Sequence, residues 1–76
     1  MNGGDVLRRC RELGIPTDAV AVNEMRDEAY VLEDVGTEWA VYYAERGLRS
    51  HERRFTSEDD AARYLLDRLR SAFGIC

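Results

Sequence analysis

His51 is the one histidine of the chain, and Ser50 and Glu52 stand on either side of it. A hydroxyl, an imidazole and a carboxylate make an activated nucleophile only when all three converge within hydrogen-bond reach. Neighbours along a strand point to opposite faces, so Ser50 and Glu52 turn away from His51, which reads as a surface histidine. Cys10 falls on the apolar side of a helical pattern and is expected to be a small core residue rather than a thiolate. Cys10, His51 and Cys76 lack the spacing of a zinc site. Glu58, Asp59 and Asp60 are successive acids, but an ion needs ligands that converge from several directions, whereas successive helical residues diverge. They mark a helix start instead. Gly3-Gly4 has no strand before it and no lysine or serine after it, which leaves out a phosphate loop. The expectation is a chain without catalytic residues, metal site or cofactor, that is, not an enzyme.

The elements that hold these residues are few. A chain of 76 residues is one domain that buries only about 60–65% of its unfolded surface. Val6, Leu7, Cys10 and Leu13 share one side of a first helix, with Asp5 as its expected cap, Gly14 and Pro16 as its stop, and Ile15 folding back. Residues 18–22 suggest a short strand, and residues 23–28 a polar loop. Residues 29–34 and 39–45 are rich in β-branched and aromatic types and read as a hairpin turning at Gly36-Thr37. That turn places Leu32 opposite Val41 and Tyr30 opposite Tyr43. Tyr30, Leu32, Trp39, Val41 and Tyr43 then share the bulkier face, expected to be core. Tyr42 lies on the other face, with Arg49 and His51 near it across the next hairpin. Arg46-Gly47 reverses the chain into residues 48–55, so polar that they read as an edge strand. Ser57 caps the last helix, whose stripe is Ala62, Leu65, Leu66, Leu69 and Phe73, with Asp59–Arg63 and Asp67–Arg70 at pairing distance and Gly74 as its stop. The expected fold is α+β, in the order α-β-β-β-β-α. Both helices lie on one face of a small antiparallel sheet of three to four strands.

Apolar residues make up 45% and charged residues 34%, a globular rather than a disordered composition. No apolar run is long enough for a membrane span, and the opening Met-Asn-Gly-Gly-Asp lacks the build of a secretion signal. With two cysteines and no disulfide framework, a cytoplasmic location is expected. The net charge is −4, with arginine as the only basic residue besides His51. Glu24, Asp27, Glu28, Glu33, Asp34 and Glu38 form an acidic stretch interrupted by Arg26 alone. Such a field repels phosphate backbones, so nucleic acid is not the expected partner, and a protein with a basic site is. These acids and Tyr42 are the candidate partner-binding residues; a plain solvated surface is the competing reading.

Residues 39–47, Trp-Ala-Val-Tyr-Tyr-Ala-Glu-Arg-Gly, followed by Phe55-Thr56-Ser57-Glu58 and Ala61-Ala62-Arg63-Tyr64-Leu65-Leu66, resemble very small bacterial immunity proteins of polymorphic toxin systems. The similarity runs from Glu28 onward, and the first helix with Gly14-Ile15-Pro16 also looks like the start of that group. The pattern is a hairpin pattern and not a catalytic signature. The resemblance implies an antitoxin that inhibits by occlusion, binding the toxin domain of its own cell at its active site or substrate entrance. Toxins of this kind often attack nucleic acid or nucleotide cofactors at basic sites, where the acidic side chains would mimic phosphates. The alternative is a regulatory or adaptor module, homodimeric through residues 48–55.

Overall fold

The computed structural model describes residues 1–75; Cys76, considered above as a zinc ligand, lies outside them. Helix α1 spans Gly3–Leu13 and helix α2 spans Glu58–Ala72. Between them run β1 (Val20–Val22, entered through a short 3-10 turn at Thr17–Ala19), β2 (Ala29–Asp34), β3 (Trp39–Glu45) and β4 (Leu48–Phe55). The strands lie side by side in sequence order. The α+β order α-β-β-β-β-α is therefore as expected.

The cap of α1 corrects the sequence reading. Asn2, not Asp5, is the capping residue: its side chain accepts from the Asp5 N–H (2.9 Å), while its own N–H donates to Asp5 Oδ2 (3.0 Å). Two helix-end donors are thereby satisfied reciprocally. The Asn2 amide, helped by Arg8, holds the Asp5 carboxyl below the ordinary carboxylate range. At the other end Gly14 adopts φ +78°, a left-handed stop, and the Ile15 N–H donates to Cys10 O (2.8 Å) as Ile15 turns into the core. Cys10 is buried, and burial pushes its thiol up.

The β2–β3 hairpin has the expected register, with Leu32 opposite Val41 and Tyr30 opposite Tyr43. Gly36 alone in its turn takes positive φ (+97°), the pattern of a type II′ turn. The β3–β4 turn has positive φ at both Arg46 (+54°) and Gly47 (+77°), a type I′ turn that matches the twist of the strands.

Two features depart from a regular antiparallel sheet. First, β1 pairs parallel to β2, with Val20 beside Tyr30 and Val22 beside Leu32, so the sheet is mixed. A parallel crossover usually needs a dozen residues or more. Here residues 23–28 suffice, because β1 is only 3 residues long and the return path is correspondingly short. Second, the β3–β4 register shifts between Val41 and Tyr43: Val41 faces Arg53, yet Tyr43 faces Ser50. One extra β4 residue is accommodated there as a bulge, with His51 at φ +55°.

Both helices cover one face of the sheet, as expected. Val6 and Cys10 of α1 and Ala61, Ala62, Leu65 and Leu69 of α2 pack with Ile15, Val20, Leu32 and Val41. Tyr30, Trp39, Phe55 and Tyr64 border this core half-buried. Tyr30 packs on Tyr43 (centroids 4.9 Å apart) and Phe55 on Tyr64 (5.2 Å). On α2, Ser57 Oγ accepts from the Asp60 N–H (3.1 Å), and Asp59 pairs with Arg63 (3.0 Å). Phe73 departs from the expected stripe: α2 ends at Ala72, and the residue is 43% exposed. Gly3 brings α1 against β1, where a Cβ would stand 2.6 Å from Val22 Cγ1. Its N–H also donates to Glu58 Oε2 (3.0 Å), tying the starts of the two helices together.

Candidate protein-binding face

Strand alternation turns Val31 and Glu33 of β2 and Ala40, Tyr42 and Ala44 of β3 away from the helices. Ala21, Val31, Ala40, Tyr42 and Ala44 form a second buried cluster, bordered by Val35, to which no helical residue belongs. Tyr42 is only 1% exposed, although no element lies over it. Its cover is made of long charged side chains from neighbouring strands.

The Arg49 guanidinium carbon sits 4.3 Å from the centroid of the Tyr42 ring, a cation–π contact. The Tyr42 hydroxyl donates to Glu33 Oε1 (2.7 Å), and Arg49 reaches the same oxygen at 3.3 Å. Arg49 also faces Glu52 Oε1 at 3.7 Å. Glu52 in turn accepts from Arg54 Nε (2.7 Å), and Arg54 approaches Glu38 at 3.8 Å. A continuous chain of groups, Tyr42–Glu33–Arg49–Glu52–Arg54–Glu38, thus crosses β2, β3 and β4. Burial and the hydrogen bond to anionic Glu33 push the Tyr42 phenol up to about 12, against a smaller opposite pull from Arg49. Each exposed ion pair in such a chain contributes little alone, so its value lies in holding Tyr42 and Arg49 in one arrangement.

The predicted partner-binding residues do not gather into one acidic patch. Glu33 and Tyr42 touch, and Glu38 joins them through Arg54 and Glu52. Asp34 sits at the β2–β3 turn, its Oδ1 accepting from the Gly36 N–H (2.9 Å). Glu24, Asp27 and Glu28 occupy residues 23–28, and Glu24 pairs with Arg26 (2.7 Å). Glu28 and Asp34 therefore flank opposite ends of β2. Asp27 accepts from the Arg46 N–H, which pins the 23–28 loop to the β3–β4 turn. Beside this contact a cleft of about 350 Å3 is lined by Met25, Arg26, Asp27, Ala44, Arg46 and Gly47.

The arginine run is divided as well. Arg49 and Arg54 lie on the outward face, whereas Arg53 faces the helix side, its guanidinium carbon 5.3 Å from the Tyr64 centroid. His51 is exposed in the bulge. Among the described residues, no group of three or more His, Cys, Asp or Glu side chains is placed to hold a metal ion. Among the same residues, no helix is long and apolar enough to cross a membrane.

No protein-family model, curated protein or solved structure matches this chain.

Arg49 beside Tyr42 was visible from the hairpin register. Glu52 and Arg54 were not singled out, because the bulge decides which β4 residues face outward and a uniformly charged strand carries no apolar alternation to betray it.

Proposed function

We propose that this chain is a non-catalytic inhibitor, an immunity protein that binds a cognate bacterial toxin domain through its uncovered sheet face and occludes it. The observation that carries the reading is the outward face itself. One side of the sheet is filled by two helices, and the other is covered only by charged side chains, Glu33, Arg49 and Glu52 among them, over a buried floor of Tyr42, Ala40 and Ala44. Tyrosine and arginine are common anchors of protein interfaces, and a rigid sheet floor loses little entropy on binding. The resemblance of the β3–β4 hairpin and the start of α2 to immunity proteins supplies the partner class, with nucleases and nucleotide-cofactor-degrading toxins as the expected kinds. The mixed charge of the face favours a partner with alternating charges over a uniformly basic one, so phosphate mimicry by the whole acidic stretch is not part of the reading.

Self-association through β4 is the weaker reading. The strand is a free edge, but its bulge and its arginines are devices that discourage strand addition. A toxin domain is expected to be encoded beside this chain, and the test is inhibition of that domain. Activity should fall to background at one equivalent, in a stable one-to-one complex. Full toxin activity at saturating amounts of the folded protein would overturn the proposal.

A further inference from the structure

The ring of Tyr42 and the carboxylates of Glu33 and Glu52 form a cup, and a guanidinium already occupies it. We infer that this cup is a guanidinium-binding site held in cis by Arg49, and that an arginine of the partner protein takes Arg49's place when the two proteins dock. The identity of the docking partner rests on the proposed function; the cup itself does not.

The distances separate the cup from its occupant. Its walls are tightly built: the Tyr42 hydroxyl and Glu33 are 2.7 Å apart, and Arg54 braces Glu52 at 2.7 Å. Arg49 is held more loosely, at 3.3 Å from Glu33 and 3.7 Å from Glu52. Its side chain is 39% exposed, so solvent or a partner reaches one flank of it. When Arg49 swings away, the cup presents an aromatic face between two carboxylates that have lost their shared cation. That is the complement of a flat cation, which stacks on the ring while its N–H groups meet both acids. A guanidinium satisfies both demands, whereas an ammonium is a point charge that stacks less well and is more strongly hydrated. Exchanging one guanidinium for another preserves the electrostatics of the cup, so a partner arginine enters without leaving a charge unpaired. The displaced Arg49 is on the edge strand, two residues from the β3–β4 turn, where water or a partner carboxylate receives it.

The experiment titrates R49A with N-ethylguanidinium and follows the Tyr42 ring protons and the Ala40 and Ala44 methyls by NMR. Saturable shifts confined to these groups are expected, with tighter binding than n-butylammonium. Adding E33Q or E52Q should weaken binding by roughly threefold or more. Wild-type protein should need far more ligand, because Arg49 competes. A folded R49A without saturable shifts, or with shifts indifferent to E33Q and E52Q, overturns the site. If R49A does not fold, R49Q is titrated in its place. In the native chain the Arg49 side-chain protons must be displaced by the Tyr42 ring current and lose that displacement in Y42L; unshifted protons also overturn the site. The docking half has its own readout. Toxin inhibition should weaken in E33Q and E52Q, and unchanged inhibition with an intact cup overturns the arginine exchange. If no toxin is inhibited at all, the proposed function fails while the cup measurement still stands.

Discussion

The Tyr42 hydroxyl donates to Glu33 Oε1 across the β2–β3 pairing at 2.7 Å, under the guanidinium of Arg49. The phenolate would be buried beside a carboxylate, so the phenol is pushed up to about 12, against about 10 in an unfolded chain. A group whose folded value is raised contributes its stability in full below the unfolded value and loses it as pH climbs through the folded one. Stability should therefore decline between about pH 10 and 12, and ultraviolet titration should show a late component that is lost in Y42F, while Tyr43, also raised by burial and nearby carboxylates, stays raised in that variant. Removing the hydroxyl should itself cost about 1 kcal/mol at neutral pH, measured by denaturant unfolding.

Gly3 brings the start of α1 close against β1. An alanine there would place its Cβ 2.6 Å from Val22 Cγ1, and valine cannot rotate freely out of the way. G3A should lower stability by about 1–2 kcal/mol despite alanine's better helix propensity. In a V22A background most of that loss should disappear, since the clash and its partner are then removed together.

Asp27 holds the 23–28 loop to the β3–β4 turn through the Arg46 amide. D27A should cost about 1 kcal/mol. Its sharper signature is local: hydrogen exchange at the Arg46 amide should accelerate, while amides in the centre of β3 keep the protection set by global unfolding. Uniform acceleration across β3 would mean that the contact supports the whole sheet rather than the loop.

Most of the scaffold was legible in the sequence because it depends on period and turn chemistry. Leu32 opposite Val41 follows from a two-residue turn at Gly36-Thr37, and the type I′ turn from Arg46-Gly47. The missed features depend on information that period does not carry. Strand direction is invisible to alternation, so Val20–Val22 gave no hint that it would run parallel to β2. Asn2 and Asp5 are both good caps, and only the reciprocal bonds between them show which one starts the helix. The bulge at His51 lies in a strand without apolar alternation, where nothing in the pattern fixes which side chains face outward. The outward network therefore appears only once the strands are paired. The acidic stretch looked like one surface because its residues are close in sequence, yet Glu28 immediately precedes β2 and Asp34 ends it, so the strand holds them apart.

Trp39 tests the assignment of faces. It borders the helix-side core half-buried, opposite Phe55. W39A should lower stability by about 2–3 kcal/mol, less than for a fully buried ring, and leave the Tyr42–Arg49 contact intact. An unchanged melting temperature would place the indole in solvent.

The central claim is that the partner lands on the sheet face which the helices leave uncovered. It is tested most directly by methyl NMR of this chain bound to a toxin domain that it is found to inhibit. Ala40, Ala44 and Val31 report the outward face, and Val6, Leu65 and Leu69 report the core beneath the helices. Large shifts at the first three with small ones at the last three are predicted. A silent outward face, with the footprint on the solvent sides of α1 and α2, would contradict the account.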